Sequence, residues 1–212
     1  MRTMIAIPCM DMLHADFFRS CVGLEVSGEV QWTTAQNSLI YDSRNKLAEI
    51  AIDGDFDRIL WLDSDMIFDR YLFRRLSEHL DQGREMISGL YFSRKPPIHP
   101  VISSRLRRDP MPTGGYGAAA DSFTNYERDS LFEIAACGFG AVMMTVDLIR
   151  QIRDRYGPPF SPTLGFGEDL AFCLRAAWLE KTIWCDSSIK LGHVGTTVYD
   201  ETLWRQLQGI TD

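Results

Sequence analysis

Cysteine is sparse and unpatterned in this chain: Cys9, Cys21, Cys137, Cys173 and Cys185 are scattered, odd in number and never form a Cys-x-x-Cys pair. That spacing argues against a disulfide framework and a zinc site, and it predicts buried thiols. Long apolar runs are missing as well. No stretch approaches the roughly 18 residues of a membrane-spanning helix, so no transmembrane segment is expected. The N-terminal residues lack the apolar core of a signal peptide, and cytoplasmic residence is the default expectation. Basic runs are absent too, the densest cluster being Arg105, Arg107 and Arg108. With a net charge of -7 and a pI of about 5.1, the surface is a poor match for nucleic acid or an anionic membrane. Neither an internal repeat nor a low-complexity block interrupts the chain.

What is present is a globular composition: 212 residues, 45% hydrophobic and 24% charged, enough for one domain with a full core. Its pivotal stretch is Arg58-Ile59-Leu60-Trp61-Leu62-Asp63-Ser64-Asp65-Met66-Ile67-Phe68, an apolar run broken by two carboxylates one residue apart. A short apolar run bounded by charge reads as a buried strand of a parallel sheet, although periodicity alone also fits a helix. The carboxylates then stand at its C-terminal end, where the loops of open α/β sheets form a ligand crevice. Two Asp side chains with no neighbouring Lys or Arg repel each other and hold raised pKa values unless a cation lies between them. A divalent ion answers that need. Hard oxygen ligands suit Mg or Mn, and Mg commonly takes one or two protein carboxylates plus substrate phosphates. The competing reading is a turn or helix cap, with Asp65 or Asp69 capping a helix over residues 70–80.

The rest of the chain alternates. Residues 3–8 predict a strand, 14–22 a helix, 24–32 a half-buried strand and 36–52 a helix carrying Ser43-Arg44-Asn45. After the Asp pair come a helix over 70–80 and a strand over 85–92. This order predicts an α/β fold with a mainly parallel central sheet flanked by helices. Over residues 93–130, Pro96, Pro97, Pro100, Pro110, Pro112 and the glycines at 114, 115 and 117 break every pattern. That segment is expected as an irregular, acceptor-side or lid-like insert within a single domain spanning 1–212. Order resumes with strands over 131–137 and 139–146, a helix over 147–156, a helix over 170–180, and strands over 182–185 and 189–191. Glu168-Asp169 open the helix over 170–180, where macrodipole capping is sufficient reason for acidic residues. Gly192-His193-Val194-Gly195 closes the ordered pattern.

Taken in order, the strand ending at Pro8, Ser43-Arg44-Asn45, Leu62-Asp63-Ser64-Asp65, Gly138-Phe139-Gly140, Gly167-Glu168-Asp169 and Leu191-Gly192-His193 carry a resemblance over nearly the whole chain. The set resembles nucleotide-sugar glycosyltransferases of the GT-A (Rossmann-like) fold and is similar to glycosyltransferase family 2. The resemblance implies metal-dependent transfer of a sugar from a nucleotide-diphosphate sugar, UDP-sugar favoured. The acceptor would be a glycan, a lipid-linked sugar or another hydroxyl compound. It further implies that Asp65, assisted by Asp63, and His193 hold Mn2+ or Mg2+ on the donor diphosphate. Asp169, with Glu168 beside it, matches the general base of inverting members. Pro8, Arg44, Asn45, Ser64 and Lys95 fall around the donor, and Gly138, Phe139 and Gly140 on the acceptor side. Two departures stand out. Trp32-Thr33-Thr34-Ala35-Gln36-Asn37 has no carboxylate where family members commonly carry one that reads the nucleobase, and Lys46-Leu47 stands where they often have a small residue.

Chemistry asks for the same residue types. Breaking a sugar-diphosphate bond puts negative charge on the leaving oxygen, which a divalent ion stabilises as a Lewis acid. The attacking hydroxyl needs a base, a contribution of about 10²- to 10⁴-fold. A lone histidine is more often a hydrogen-bonding core group, but the glycines around His193 let backbone approach a ligand. Two alternatives remain. One is a catalytically silent sugar- or nucleotide-binding module on the same fold. The other is a magnesium-dependent haloacid-dehalogenase-like phosphatase, whose Asp-x-Asp motif expects Thr or Val two residues after the second Asp, where Ile67 follows Met66.

Overall fold

The computed structural model describes residues 1–9, 12–36, 38–195 and 197–209. Asn37, in the stretch that departs from the family pattern, lies outside them. The first strand, β1 (Arg2–Pro8), is followed by α1 (Ala15–Gly23), β2 (Glu29–Ala35), α2 (Ile40–Asp53) and β3 (Arg58–Leu62). β2 begins later than the alternation over 24–32 predicts. Leu24 instead closes α1, its N–H donating to the Cys21 carbonyl, and Gly28 turns the chain at a φ of 79°. β4 (Met66–Ile67) is separate from β3, because the chain leaves the main sheet at Asp63. Next come α3 (Leu72–Asp81) and β5 (Met86–Leu90).

The expected irregular segment contains a long hairpin. β6 (Ile102–Pro110) pairs antiparallel with β7 (Tyr116–Ser122), and its turn uses positive φ at Gly114 and Gly115. The prolines and glycines mark the ends and turn of a two-stranded ribbon, where Pro110 is a terminal strand residue. β8 (Leu131–Ile134), β9 (Ala136–Cys137) and β10 (Ala141–Thr145) follow, then α4 (Val146–Tyr156) and α5 (Glu168–Trp178). β11 (Ile183–Lys190) replaces the two strands expected there, its register against β5 shifting between Asp186 and Lys190. The ordered chain continues past Gly195 with β13 (Val198–Tyr199) after β12 (Gly192–Val194), and then α6 (Glu201–Gln208). Asp200 caps α6, its carboxylate accepting from Leu203 N–H at 2.8 Å.

The main sheet runs β2-β1-β3-β10-β5-β11-β8. β2, β1, β3, β5 and β11 point one way, and β10 and β8 run against them. β3 is buried on both faces, as its unbroken apolar sequence requires. Ile59 and Trp61 enter one layer with α2, α4 and α5; Leu60 and Leu62 enter the other with α1 and α3. In the first layer Trp61, Phe139, Phe160 and Phe172 pack ring to ring, with Phe160 stacked on Phe172 at 4.8 Å. The result is an α/β fold whose mainly parallel sheet is flanked by helices on both faces.

Candidate active site

The C-terminal end of β3 carries the two Asp residues into a cavity of about 330 Å³, also lined by Pro8, Ser43, Ser64, Arg94 and His193. β10 runs antiparallel beside β3, so the Asp63 N–H donates to the Gly140 carbonyl at 3.0 Å and fixes where the strand ends. Met66 then pairs with His193 across β4 and β12. That pairing brings His193 Nε2 to 3.5 Å from Asp65 Oδ2, and the Val194 N–H donates to the Asp65 carbonyl at 2.8 Å.

Each carboxylate has a guanidinium partner from elsewhere in the chain, which corrects the expectation of an unneutralised pair. Arg44 Nη2 donates to Asp63 Oδ1 at 2.8 Å, and Arg94 Nη1 bonds Asp65 Oδ2. Burial raises the Asp63 pKa, and Asp65 and Glu168 add to the rise against the opposing pull of Arg44. Burial pushes Asp65 upward too, but the His193 hydrogen bond and the His193 and Arg94 charges hold it below the ordinary carboxylate value. Arg44 is 2% exposed and lies over the Phe139 ring at 5.3 Å. Its Nε is 3.7 Å from Glu168 Oε1, beyond hydrogen-bond reach, and neither Nε nor Nη1 has a hydrogen-bond partner among the described residues.

Asp169 stands at the first turn of α5, facing a second cavity of about 180 Å³ with Gly138, Ser103, Ser122 and His99. Its Oδ1 accepts from the Leu170 N–H at 2.7 Å. Burial, reinforced by the neighbouring Glu168 charge, raises its pKa from an ordinary 3.8 to about 6.

Several expected positions have other work. Asn45 Oδ1 accepts from the Phe160 N–H at 2.9 Å, tying α2 to the loop before α5; it does not line the donor-side cavity. Lys95 is exposed and off that cavity, and the neighbouring Arg94 takes the inward place. Phe139 is 1% exposed, and its ring belongs to the aromatic core and faces neither cavity. Gly140 is demanded by packing, since a Cβ there would come within 2.9 Å of Met66 Sδ and the buried Tyr91 ring. Gly138 has no room for a side chain against the Tyr91 hydroxyl.

Two residues escape sequence reasoning. The signal for Arg94 is the basic pair Arg94-Lys95 just beyond a strand end, but which of the two faces inward depends on local loop geometry. Phe92 has no sequence signal at all. Its carbonyl lies 2.9 Å from His193 Nδ1 and accepts that proton, and its ring stacks on Trp204 of α6 at 5.4 Å. Glu201 of the same helix is buried and paired with Lys190 at 2.8 Å.

As a metal site the donor set is incomplete in one respect: among the described residues no three His, Cys, Asp or Glu converge. Asp65 and His193 do converge, and two protein donors suit a hard divalent ion whose remaining positions are filled by phosphate and water.

No family model and no curated protein matches this chain. Among solved structures it is similar to A197 from STIV, with a TM-score of 0.64 and 16% identity over 92% of this chain and 86% of that one. It is also similar to GalNAc-T7, solved with UDP, GalNAc and Mn2+, with a TM-score of 0.61 and 10% identity over 91% of this chain. The match spans 44% of the GalNAc-T7 chain, less than half its length. At such identities the likeness is one of fold, and the fold is GT-A-like. No described helix is long and apolar enough to cross a membrane.

Proposed function

We propose that the protein transfers a sugar from a nucleotide-diphosphate donor, UDP-sugar favoured, to an acceptor hydroxyl on a glycan, a lipid-linked sugar or a related compound. Mn2+ or Mg2+ would be held by Asp65 and His193, and Asp169 would act as the base of an inverting reaction. The observation that carries this reading is the His193 imidazole. Its Nδ1–H donates to the Phe92 carbonyl, so Nε2 faces the Asp65 carboxylate, donating a hydrogen bond to it when the ring is charged and turning a lone pair on it when the ring is neutral. Two electron-rich groups turned on each other are suited to a cation. Such an ion, when bound, neutralises charge developing on the leaving diphosphate oxygen.

The protein's own groups supply the rest. Asp63, engaged by Arg44, braces the end of β3 and assists Asp65 through its charge. Asp169, with a pKa of about 6, is ionised at neutral pH yet basic enough to accept the acceptor's proton. Its Oδ1 is occupied by the Leu170 N–H, leaving Oδ2 for that proton. The acceptor would enter beside Gly138, under the β6–β7 hairpin, which takes the acceptor-side role first given to an irregular insert. A silent binding module is the second reading, favoured by the Arg94 contact that already neutralises Asp65.

Thermal-shift and calorimetric titrations of UDP and UDP-sugars, in Mn2+ and in chelator, test the donor site. Mn2+ should tighten UDP binding, and Asp65→Ala should remove that dependence. Equal UDP affinity in Mn2+ and chelator overturns the metal-dependent reading. Donor turnover separates an enzyme from a silent module.

A further inference from the structure

We propose that Arg94 is the diphosphate-binding cation of the donor-side cavity, held on Asp65 until a nucleotide draws it away, so that divalent-ion binding depends on the nucleotide. This rests on the donor-site reading above. Among the described residues lining the cavity, Arg94 is the one Arg or Lys. A single nitrogen, Nη1, bonds both Asp65 Oδ2 and the Val194 carbonyl, the latter at 3.1 Å. The loop after β5 is thereby clipped to β12. Asp65 Oδ2 is also the oxygen that faces His193 Nε2. An ion bridging that oxygen and the imidazole therefore meets a guanidinium already in place, and two cations on one carboxylate oxygen repel.

Arg94 is free to yield where Arg44 is not. Its side chain is 46% exposed, whereas that of Arg44 is 2% exposed and locked against Asp63. Movement leaves the guanidinium free to donate to water or phosphate, and it costs one hydrogen bond, to the Val194 carbonyl. A diphosphate offers paired oxygens that match the planar guanidinium fork better than one carboxylate oxygen does. Nucleotide arrival would thus pull Arg94 outward and clear Asp65 for the ion. By reciprocity, the ion then strengthens nucleotide binding.

The probes are Mn2+ alone, followed by electron paramagnetic resonance, and UDP in chelator, followed by calorimetry. Wild-type protein should bind Mn2+ weakly alone and about tenfold or more tightly with UDP present. Arg94→Ala should bind Mn2+ alone about tenfold more tightly than wild type and UDP in chelator several-fold more weakly. Arg94→Lys, which keeps the charge without the fork, should fall between the two. Arg94→Ala values equal to wild type for either ligand overturn the inference while leaving the donor site standing. If wild type binds neither Mn2+ nor UDP, the donor site and this inference both fall.

Discussion

Asp65 and Asp169 stand in two cavities, and their pKa values are shifted in opposite directions. Burial pushes both carboxyls upward. Asp65 nevertheless ends below the ordinary value, because β12 delivers His193 and the loop after β5 delivers Arg94. Asp169 rises to about 6, because the Glu168 charge adds to burial and the Leu170 hydrogen bond and the Arg44 charge only partly offset them. Burial alone therefore does not decide what a carboxylate is suited to do. The cations that the topology brings to it decide, holding one carboxyl below the ordinary value and leaving the other poised near neutral pH.

The Arg44 charge lowers the pKa of both Asp63 and Asp169, and removing it should disturb the contrast most. Arg44→Ala leaves the half-buried Asp63 without its partner and removes a cation 3.7 Å from Glu168. Loss of one member of a fully buried pair costs about 3 to 5 kcal/mol, and water reaching Asp63 from the cavity reduces this to about 2 kcal/mol. Denaturant unfolding should show a loss of that size, and a variant within about 1 kcal/mol of wild type would mean that Arg44 does not hold the site together.

Asp169→Asn sharpens the contrast from the other side. Transfer should fall by about 10²-fold or more, while folding stability at pH 8 rises. The sign follows from linkage: a carboxyl raised from 3.8 to about 6 contributes its full stability below the lower value and loses it as pH climbs through the upper one. Ionised Asp169 thus costs the fold up to about 3 kcal/mol, and the neutral amide escapes that cost while keeping the Leu170 hydrogen bond. Unchanged transfer by this variant removes Asp169 as the base.

The pH profile gives a gentler test. Wild-type transfer should decline about tenfold per unit below pH 6, as Asp169 takes up a proton, with UDP affinity changing far less over the same range. A profile flat from pH 7 to 5 contradicts the assignment. Asn45→Ala should have the smallest effect, about 1 kcal/mol of stability from the lost Phe160 contact. Its UDP affinity should stay within about twofold of wild type, and a large loss would restore Asn45 to the donor side.

Much of this arrangement is legible in the sequence, and the exceptions share a cause. The strand ending at Asp63 is readable because both faces of β3 are buried, which forces an uninterrupted apolar run. Arg44 is legible through the resemblance carried by Ser43-Arg44-Asn45, and His193 through that resemblance and its flanking glycines. The β6–β7 hairpin is not legible, because its exposed face carries Ser104, Arg105 and Arg108 and its breakers look like those of an irregular loop. The inward choice of Arg94 over Lys95 depends on a loop with no periodicity. Phe139, between two glycines, reads as the start of a strand and, by resemblance, as an acceptor-side residue. It is buried because four aromatic rings from β3, the loop before β10, the loop before α5 and α5 meet there, a long-range fact that no local pattern records.

The stack of Trp204 on Phe92 has one more consequence. His193 keeps its orientation through the Phe92 carbonyl, and Phe92 is backed by an indole from the last described helix. That helix is moored in turn by the Glu201–Lys190 pair. The imidazole is thus tied, through one carbonyl and one ring stack, to a helix that lines no part of the cavity, and a disturbance of α6 is expected to register in the aim of that side chain.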